Sequence, residues 1–404
     1  MTSEWKTSPL RDLVGFISKG IAPSYADEES ETTVRVLNQK CNRNFRITYS
    51  ESRLHDLARK KVPAERFVRI DDILINSTGA GTAGRIAQIC NLPCDTIVDG
   101  HMIIIRANDK VSQKYLGYAM KAHQWEVLQL DEGSTGQTEL NRERLLDEIM
   151  ISYPTSFALQ ETIVKTLEGI DRKLLINEKV NDNLQQQAAA IFRSWFVDYV
   201  PFGGTVPDEW KNVTLEDITT LVSRGITPKY ADDTGQIVIN QKCIRNHMID
   251  LSFARSHRPK VINNKWLRFG DLLINSTGDG TLGRAAQVWF QPHNLTVDSH
   301  VTIARPAKEN LIFYIGLWGI LHEKEIESLH TGSTGQTELP RDRVKAMELL
   351  LPDNETLDRF NGLITPMAAA IVANQEENNR LAALRDAILP KLMSGEIDVT
   401  DIQL

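Results

Sequence analysis

Four cysteines in 404 residues make no framework. Cys41 and Cys243 occupy matching places in two similar halves of the chain, and Cys90 and Cys94 have no Cys or His pair at zinc-finger spacing. A disulfide scaffold is therefore not indicated, and reduced thiols are expected. No apolar run approaches the ~18 residues of a membrane span, and Met1-Thr2-Ser3-Glu4-Trp5 starts no signal peptide, so a cytoplasmic location without membrane contact is expected. Walker lysines, paired histidines at metal spacing and an adenine-methyltransferase tetrapeptide are all missing, which leaves no recognisable catalytic centre. Excess positive charge is missing too, since the net charge is −7. Charged residues at 25% and hydrophobic ones at 41% are ordinary for a folded domain, which excludes disorder as the main state.

What the chain has is repetition. Asn76-Ser77-Thr78-Gly79-Ala80-Gly81-Thr82-Ala83-Gly84-Arg85 returns as Asn275-Ser276-Thr277-Gly278-Asp279-Gly280-Thr281-Leu282-Gly283-Arg284. Gly133 to Leu140 returns letter for letter as Gly332 to Leu339, at the same offset of 199 residues. Ser18-Lys19-Gly20-Ile21 and Asn38-Gln39-Lys40-Cys41 return near Ser223 and Asn240, with offsets that drift as loop deletions would make them. A unit this long is a whole domain, not a solenoid repeat of ~20–50 residues. Two equivalent domains imply a pseudo-twofold molecule, and the common twofold polymer it could face is duplex DNA.

Divided by segment, the charge agrees. Residues 1–153 and 201–351 are each close to neutral, and most of the negative charge lies in residues 352–404. Lys40 to Arg69 carries nine basic and three acidic residues, and Lys242 to Arg268 carries seven and one. Two basic windows at matching places supply the footprint that phosphate contact needs.

Four segments are expected: a mixed α/β lobe over 1–153, a helix and its exit over 154–200, a second lobe over 201–351, and a second helix and tail over 352–404. In the first helix Ile163, Ile170, Asn177, Leu184 and Ile191 recur every seven residues, interleaved with Leu167, Leu174, Asn181, Ala188 and Trp195. The second repeats this with Phe360, Met367, Asn374, Leu381 and Ile388, and with Ile364, Ile371, Asn378, Arg385 and Leu392. That is a coiled-coil seam. The fold class expected is α/β (α+β): two pseudo-twofold-related lobes separated by a long antiparallel two-helix coiled coil. Asn177, Asn181, Asn374 and Asn378 fall at mid-seam, where buried amides would fix register at some loss of stability. Pro366 is expected only in the first turns of its helix or at a kink.

Gly79-x-Gly81-x-x-Gly84 fits the dinucleotide fingerprint, with Asp99 where a ribose ligand would sit. Its context fails, because Arg85 to Ile89 is short and Pro93 soon interrupts. A glycine-rich loop with Ser, Thr and a terminal Arg is better read as donors approaching phosphates or base edges. His101 beside Asp99, and His300 beside Asp298, could be an acid–base pair or a structural hydrogen bond at a strand start. Gln137 and Gln336 could read adenine or serve as caps or interface groups. The residues expected to meet DNA are Lys40, Arg43, Lys60, Lys61, Ser77, Thr78, Thr82, Arg85, Gln137 and Thr138 in the first lobe. In the second they are Lys242, Arg245, Arg258, Lys260, Ser276, Thr277, Thr281, Arg284, Gln336 and Thr337. Asymmetry between the half-sites is expected from Asn42/Ile244, Ala80/Asp279, Ala83/Leu282 and Asn141/Pro340.

The order lobe–helix–lobe–helix, the Gly-x-x-Gly-Arg loop, and Thr135-Gly136-Gln137-Thr138 followed by Leu145, Pro154 and Gln160 resemble the specificity (S) subunit of type I restriction–modification enzymes. So do Gln187 to Asp198 and Leu384 to Ile397, which resemble its central and C-terminal conserved regions. The resemblance implies a non-catalytic subunit in which each lobe reads half of a bipartite site in double-stranded DNA. The helices would set the spacer and dock two modification (methyltransferase) subunits, with restriction (translocase and nuclease) subunits joining the complex. It further implies no cofactor in this subunit, with S-adenosylmethionine, ATP and Mg held by the partners. The second helix entrance lacks a counterpart of Gln160, which by analogy weakens methylase docking there. Because the lobes share nearly every candidate contact, a near-palindromic target is expected. A DNA-independent coiled-coil scaffold, a nucleotide-using enzyme and the specificity subunit of a methylation-only complex are the alternatives.

Overall fold

The computed structural model describes residues 4–399 except 80, 133–138, 233, 259–261, 279 and 333–336. The chain divides into two compact units, residues 1–174 with 379–404 and residues 175–378. The long helices α1 (Phe157–Phe196) and α2 (Asn354–Ser394) each contribute one part to either unit.

In the first unit the central sheet is built from β1 (Val14–Lys19), β2 (Ile73–Asn76), β3 (Ile86–Gln88) and β4 (Met102–Ala107), in the antiparallel order β1-β4-β2-β3. Ile73 to Ile75 and Met102 to Ile105 are buried on both faces, so these central strands read as continuous apolar runs without alternation. A second sheet pairs Thr33–Leu37 in parallel with Thr96–Val98 and antiparallel with Arg53–Asp56. The lobe closes where Trp5–Pro9 pairs antiparallel with Met150–Pro154.

The second unit repeats this plan. Its central sheet has β5 (Thr219–Arg224), β6 (Leu272–Asn275), β7 (Ala285–Gln287) and β8 (Val301–Pro306) in the order β5-β8-β6-β7, and Lys211–Thr214 closes on Glu348–Leu351. A buried bidentate ion pair braces each central sheet. Arg106 holds Asp72 at 2.7 and 2.8 Å, and Arg305 holds Asp271 at 2.8 and 2.7 Å. Both guanidiniums also donate to backbone carbonyls, so the paired charges keep their hydrogen bonds in the dry interior.

Each lobe's core is continuous with helix faces. In the first unit Leu159, Ile163 and Leu167 of α1 and Leu389, Leu392 and Met393 of α2 join the core of the lobe. In the second, Ala188, Phe192 and Phe196 of α1 and Leu357, Phe360 and Ile364 of α2 do so. Phe196 meets Tyr314 and Phe360 edge-on, with ring centroids 4.9 and 4.8 Å away. The first helix stops at Phe196, and Tyr199 then takes a left-handed φ of 51°.

Between the helices, the seam positions are internal. Asn177 and Asn181 are 2% and 3% exposed. Asn177 donates from Nδ2 to Asn378 Oδ1 at 2.8 Å and to Glu377 Oε2 at 2.7 Å, while Asn374 donates to Asn181 Oδ1 at 2.8 Å. Because 177 meets 378 and 181 meets 374, the two segments run antiparallel within this unit. In the first unit the seam is charged instead: Asp171 accepts from Arg385 at 3.0 Å and from Tyr118 at 2.9 Å, with Lys121 at 3.5 Å. Burial alone would raise the Asp171 carboxyl, but Lys121, Arg385 and Tyr118 outweigh it and hold it below its ordinary value.

The second helix runs unbroken through Pro366 in its fourth turn. The carbonyl left without an N–H partner is that of Gly362, whose missing side chain leaves open space, and Thr365 Oγ1 donates to the carbonyl of Asn361 at 2.7 Å. Gln160 is not a surface group. Its side chain is 0% exposed, accepts from Ser112 N at 2.8 Å and donates to the Pro154 carbonyl at 2.9 Å. It ties the helix entrance to its own lobe. At the other entrance Asp353 does this work, accepting from Thr356 N and Trp210 Nε1. No described helix is long and apolar enough to cross a membrane.

Candidate nucleic-acid interface

The glycine loop leaves the end of β2 and returns as β3. Gly79, Gly81 and Gly84 take φ values of +112°, +68° and +84°, and Gly278, Gly280 and Gly283 take +109°, +66° and +83°. These are left-handed conformations that side chains resist, which is why three glycines recur. The turn closes through Gly84 N to Asn76 O at 2.8 Å and Asn76 N to Arg85 O at 2.9 Å. Beyond the third glycine the chain enters a strand, so there is no helix N-terminus to receive a pyrophosphate, and the dinucleotide reading lapses. Arg85 folds back to donate to the Gly81 carbonyl at 3.0 Å, and Arg284 does the same to Gly280 at 2.8 Å.

Three further segments converge on this loop in each lobe. Asn76 Nδ2 donates to the Gln39 carbonyl at 3.1 Å, which draws in the turn bearing Lys40 and Arg43. Ser77 N donates to the His101 carbonyl at 2.8 Å, and Leu140 N donates to the Ser77 carbonyl at 2.8 Å. Lys19, from the end of β1, forms an ion pair with Glu139. The second lobe reproduces each link, through Asn275 to Gln241 at 3.1 Å, Ser276 to His300 at 2.8 Å, Leu339 to Ser276 at 2.8 Å, and Arg224 with Glu338. Residues scattered over 120 positions of sequence are thus gathered at one end of each sheet.

The expected contacts fare unequally. Lys40, Arg43, Lys242 and Arg245 are exposed beside the loop, and the Arg245 guanidinium lies 4.3 Å above the Phe253 ring. Arg284 is exposed and Arg85 half-buried at the loop's end. Lys60, Lys61 and Arg258 are exposed, with Lys60 Nζ donating to the Ala22 carbonyl at 2.7 Å. Thr82 and Thr281 are half-buried and turn their hydroxyls onto carbonyls of their own loops. Ser77 and Ser276 are 0% exposed, and Ser276 Oγ lies 2.6 Å from Thr302 Oγ1, so neither hydroxyl meets a ligand at the surface as folded. Thr337 is half-buried. Gln137, Thr138, Lys260 and Gln336 lie outside the described residues.

The histidines settle as structural hydrogen-bonding groups with one addition. Asp99 Oδ1 accepts from the backbone N–H of His101 at 2.9 Å, and Asp298 does so from His300 at 2.9 Å. Burial raises both aspartates, and the histidine N–H groups work against it. The imidazoles turn away from these acids. His101 Nδ1 lies 2.7 Å from Thr78 Oγ1, and His300 Nδ1 lies 2.7 Å from Thr277 Oγ1.

Two of the pairs that differ between the lobes are internal. Asn42 is 0% exposed and donates to Asn76 Oδ1 at 3.1 Å and to the Arg85 carbonyl at 2.9 Å. Ile244 takes its place in the second lobe and leaves Asn275 Oδ1 buried without a described partner. Ala83 and Leu282 are 5% and 7% exposed. Asn141 caps a short helix by accepting from Glu143 N and Arg144 N, a role Pro340 cannot fill. Asn42 and Ile244, like Ala83 and Leu282, are internal, so any asymmetry they bring acts through how the loop is held, while Ala80 and Asp279 lie outside the described residues.

A further difference was not visible in the sequence, because its partners are 38 residues apart with no motif to link them. Gln124 clamps the end of the first glycine loop, accepting from Ile86 N at 2.8 Å and donating to the Gly84 carbonyl at 2.7 Å. Its counterpart Glu323 accepts from Ala285 N at 2.5 Å and pairs with His247 at 3.2 Å, where the first lobe has Phe45. The hydrogen bond to Glu323 raises the His247 imidazole above its ordinary value, against the opposing effect of burial.

Residues 2–186 match the family model described as the type I restriction modification DNA specificity domain. Over 322 residues the chain is 25% identical to the MjaIX type I restriction enzyme specificity subunit of Methanocaldococcus jannaschii, covering 73% of this chain and 71% of that one. Over 315 residues it is 22% identical to the HindI specificity subunit of Haemophilus influenzae, covering 59% and 67%. The crystal structure of a type I restriction–modification S subunit from M. genitalium aligns over 99% of this chain and 98% of that chain, with a TM-score of 0.58 at 14% identity. That likeness shows a shared fold.

Proposed function

We propose that the chain, whose first lobe and helix match the type I restriction modification DNA specificity domain, is a specificity subunit that reads a bipartite, near-palindromic site, one half with each lobe. The observation that supports this best is the sameness of the two glycine-loop surfaces. Corresponding glycine φ values agree within 3°, and the same hydrogen bonds draw in the same Gln-Lys turn and the same histidine. Two equal surfaces should read similar bases, and antiparallel helices would present them to opposite strands.

On this reading Lys40, Arg43, Lys242 and Arg245 meet phosphates, which position without specifying, and Arg85 and Arg284 stand at the loop ends to meet base edges. The domains are residues 1–153 and 201–351 for recognition, with 154–200 and 352–404 as spacer helices. Those helices set the distance between half-sites and dock two methyltransferase subunits. Restriction subunits complete the complex, and S-adenosylmethionine, ATP and Mg act in the partners, while this chain supplies address and not chemistry.

The test is to map methylated adenines genome-wide in cells expressing the chain with its methyltransferase partner, against cells expressing the partner alone. A new bipartite motif that depends on this chain, with half-sites that are nearly inverted copies, is the expected outcome. Dissimilar half-sites would overturn the near-palindrome, and no motif from an assembled complex would overturn the recognition reading.

A further inference from the structure

His101 and His300 sit at the lip of the glycine loop, exposed, with their backbones pinned from both sides. The N–H of each is held by an aspartate at 2.9 Å, and the carbonyl of each takes a serine N–H at 2.8 Å. Each imidazole is then fixed in orientation by a threonine 2.7 Å from Nδ1.

The same threonine settles which nitrogen carries the proton. Thr78 Oγ1 lies 3.4 Å from Gln39 Oε1, and Thr277 Oγ1 lies 3.1 Å from Gln241 Oε1. An amide oxygen can only accept, and a hydroxyl has one proton to give. With the glutamine oxygens facing the hydroxyls as they do in both lobes, the threonine donates to the glutamine and its lone pair takes the imidazole N–H. That relay places the proton of the neutral ring on Nδ1 and turns Nε2 outward as an acceptor. No described residue bonds Nε2 in either lobe, so the acceptor is available at the surface.

An outward acceptor is unusual here, since Lys40, Arg43, Lys242 and Arg245 around it are donors suited to phosphate. A phosphate has nothing to donate to Nε2. In the major groove the only donors are the exocyclic amino groups, N6 of adenine and N4 of cytosine. We propose that His101 and His300 are base-reading residues, each accepting a hydrogen bond at Nε2 from the exocyclic amino group of one adenine or cytosine in its half-site. Thr78 and Thr277 are then positioning residues, not contacts, which accounts for hydroxyls that face inward at a surface built to meet DNA. The proposal rests on the DNA-recognition reading and names the chemistry that the loop presents.

The experiment uses the full chain assembled with its methyltransferase partner, and duplexes bearing the mapped site. Each adenine is replaced in turn by purine and each cytosine by pyrimidin-2-one, which deletes one amino group at a time and tells the two bases apart. One deletion in each half-site should weaken wild-type binding roughly ten- to hundredfold, the range for loss of a specific base contact. In His101→Ala the penalty should vanish in the first half-site and persist in the second, with His300→Ala the mirror case. The untouched half-site reports that each variant is folded. Thr78→Val should lose part of the discrimination, and Thr78→Ser should restore it. A penalty that survives both histidine variants, or the lack of any penalty in wild type where ordinary base-pair changes do cost binding, overturns the assignment. A wild-type complex that binds the mapped and scrambled duplexes alike overturns the recognition reading itself.

Discussion

Replacing Asn181 by leucine puts the seam to a quantitative test. Its Oδ1 accepts from Asn374 Nδ2 at 2.8 Å, and the side chain is 3% exposed. Asn181→Leu removes that acceptor and leaves the Asn374 amide against an alkyl surface, a loss of about 1–3 kcal/mol. Asn374 is half-buried, so water reaches part of it, and the lower half of that range is expected. Spread over a unit of 175–378, about 1–2 kcal/mol corresponds to a Tm drop of ~2–8 °C. Asn181→Leu with Asn374→Leu should behave differently, because both polar groups leave together and two leucines meet across the seam. The double variant should recover or exceed the wild-type Tm, with a coupling of about 1–3 kcal/mol in the cycle. Differential scanning calorimetry reads all four corners. Additive single effects would show that the amides do not interact and would remove the basis for a register-fixing layer. The cost of the gain should be register: with only the Asn177–Asn378 layer left to penalise heptad-shifted pairings, the mapped motif should show more than one spacer length.

Other expectations are more direct. Inserting one heptad at matching seam positions of both long helices adds ~10 Å at ~1.5 Å per residue. That should lengthen the spacer by about three base pairs at ~3.4 Å each, with both half-sites unchanged, and an unaltered spacer would refute the ruler. Arg85→Ala should weaken binding by ~1–3 kcal/mol and relax the first half-site alone, as measured by competition against single-base variants. A uniform loss across sequences would make it a phosphate contact, which is the pattern expected for Lys60→Ala with Lys61→Ala together with a flatter salt dependence. His247, facing Glu323 and with Asp182 lining the same cavity, should give the second unit a pH dependence. Its folded-state value lies above the ordinary 6.5, so the stabilisation is complete below that value and fades as pH rises through the folded one. Thermal scans should show this decline in wild type and not in His247→Phe, and equal slopes would dismiss the pair.

Much of the architecture is readable because it is periodic or repeated. The heptad rows place Asn177 and Asn181 inside the seam, and the matching motifs mark Lys40, Arg85 and their counterparts as parts of one surface. Local chemistry is less legible. Ser77 looks like a donor in a glycine loop, yet its burial depends on β2 and β4 closing around it, which no window of sequence reveals. Gln160 is prominent at a helix entrance and turns out to be a brace, because its partners at Ser112 and Pro154 arrive only on folding. Gln124 gives no signal at all in the sequence, since it acts through Gly84 and Ile86 across 38 residues.

Those internal braces bear on how the two lobes can diverge. Around the glycine loops Lys40, Arg43, Arg85 and His101 have counterparts of the same kind in the second lobe, whereas Asn42 becomes Ile244, Gln124 becomes Glu323 and Phe45 becomes His247. Farther in, Lys121 lies 5.0 Å over the Phe45 ring in the first unit, whereas Ile320 and His247 line a cavity of about 460 Å³ in the second. A loop clamped by a neutral amide on two sides is held at any pH, while one held by a carboxylate and an imidazolium depends on their charges. Changes of this kind alter how firmly a contact surface is presented without altering what it presents. The two lobes should therefore prefer the same bases but differ in how strongly mismatches are penalised, with the second half-site the more tolerant. Importing the first lobe's clamp, Glu323→Gln with His247→Phe, should raise the second half-site's mismatch penalties toward those of the first. An unchanged difference between half-sites would place the asymmetry on the contact surface after all.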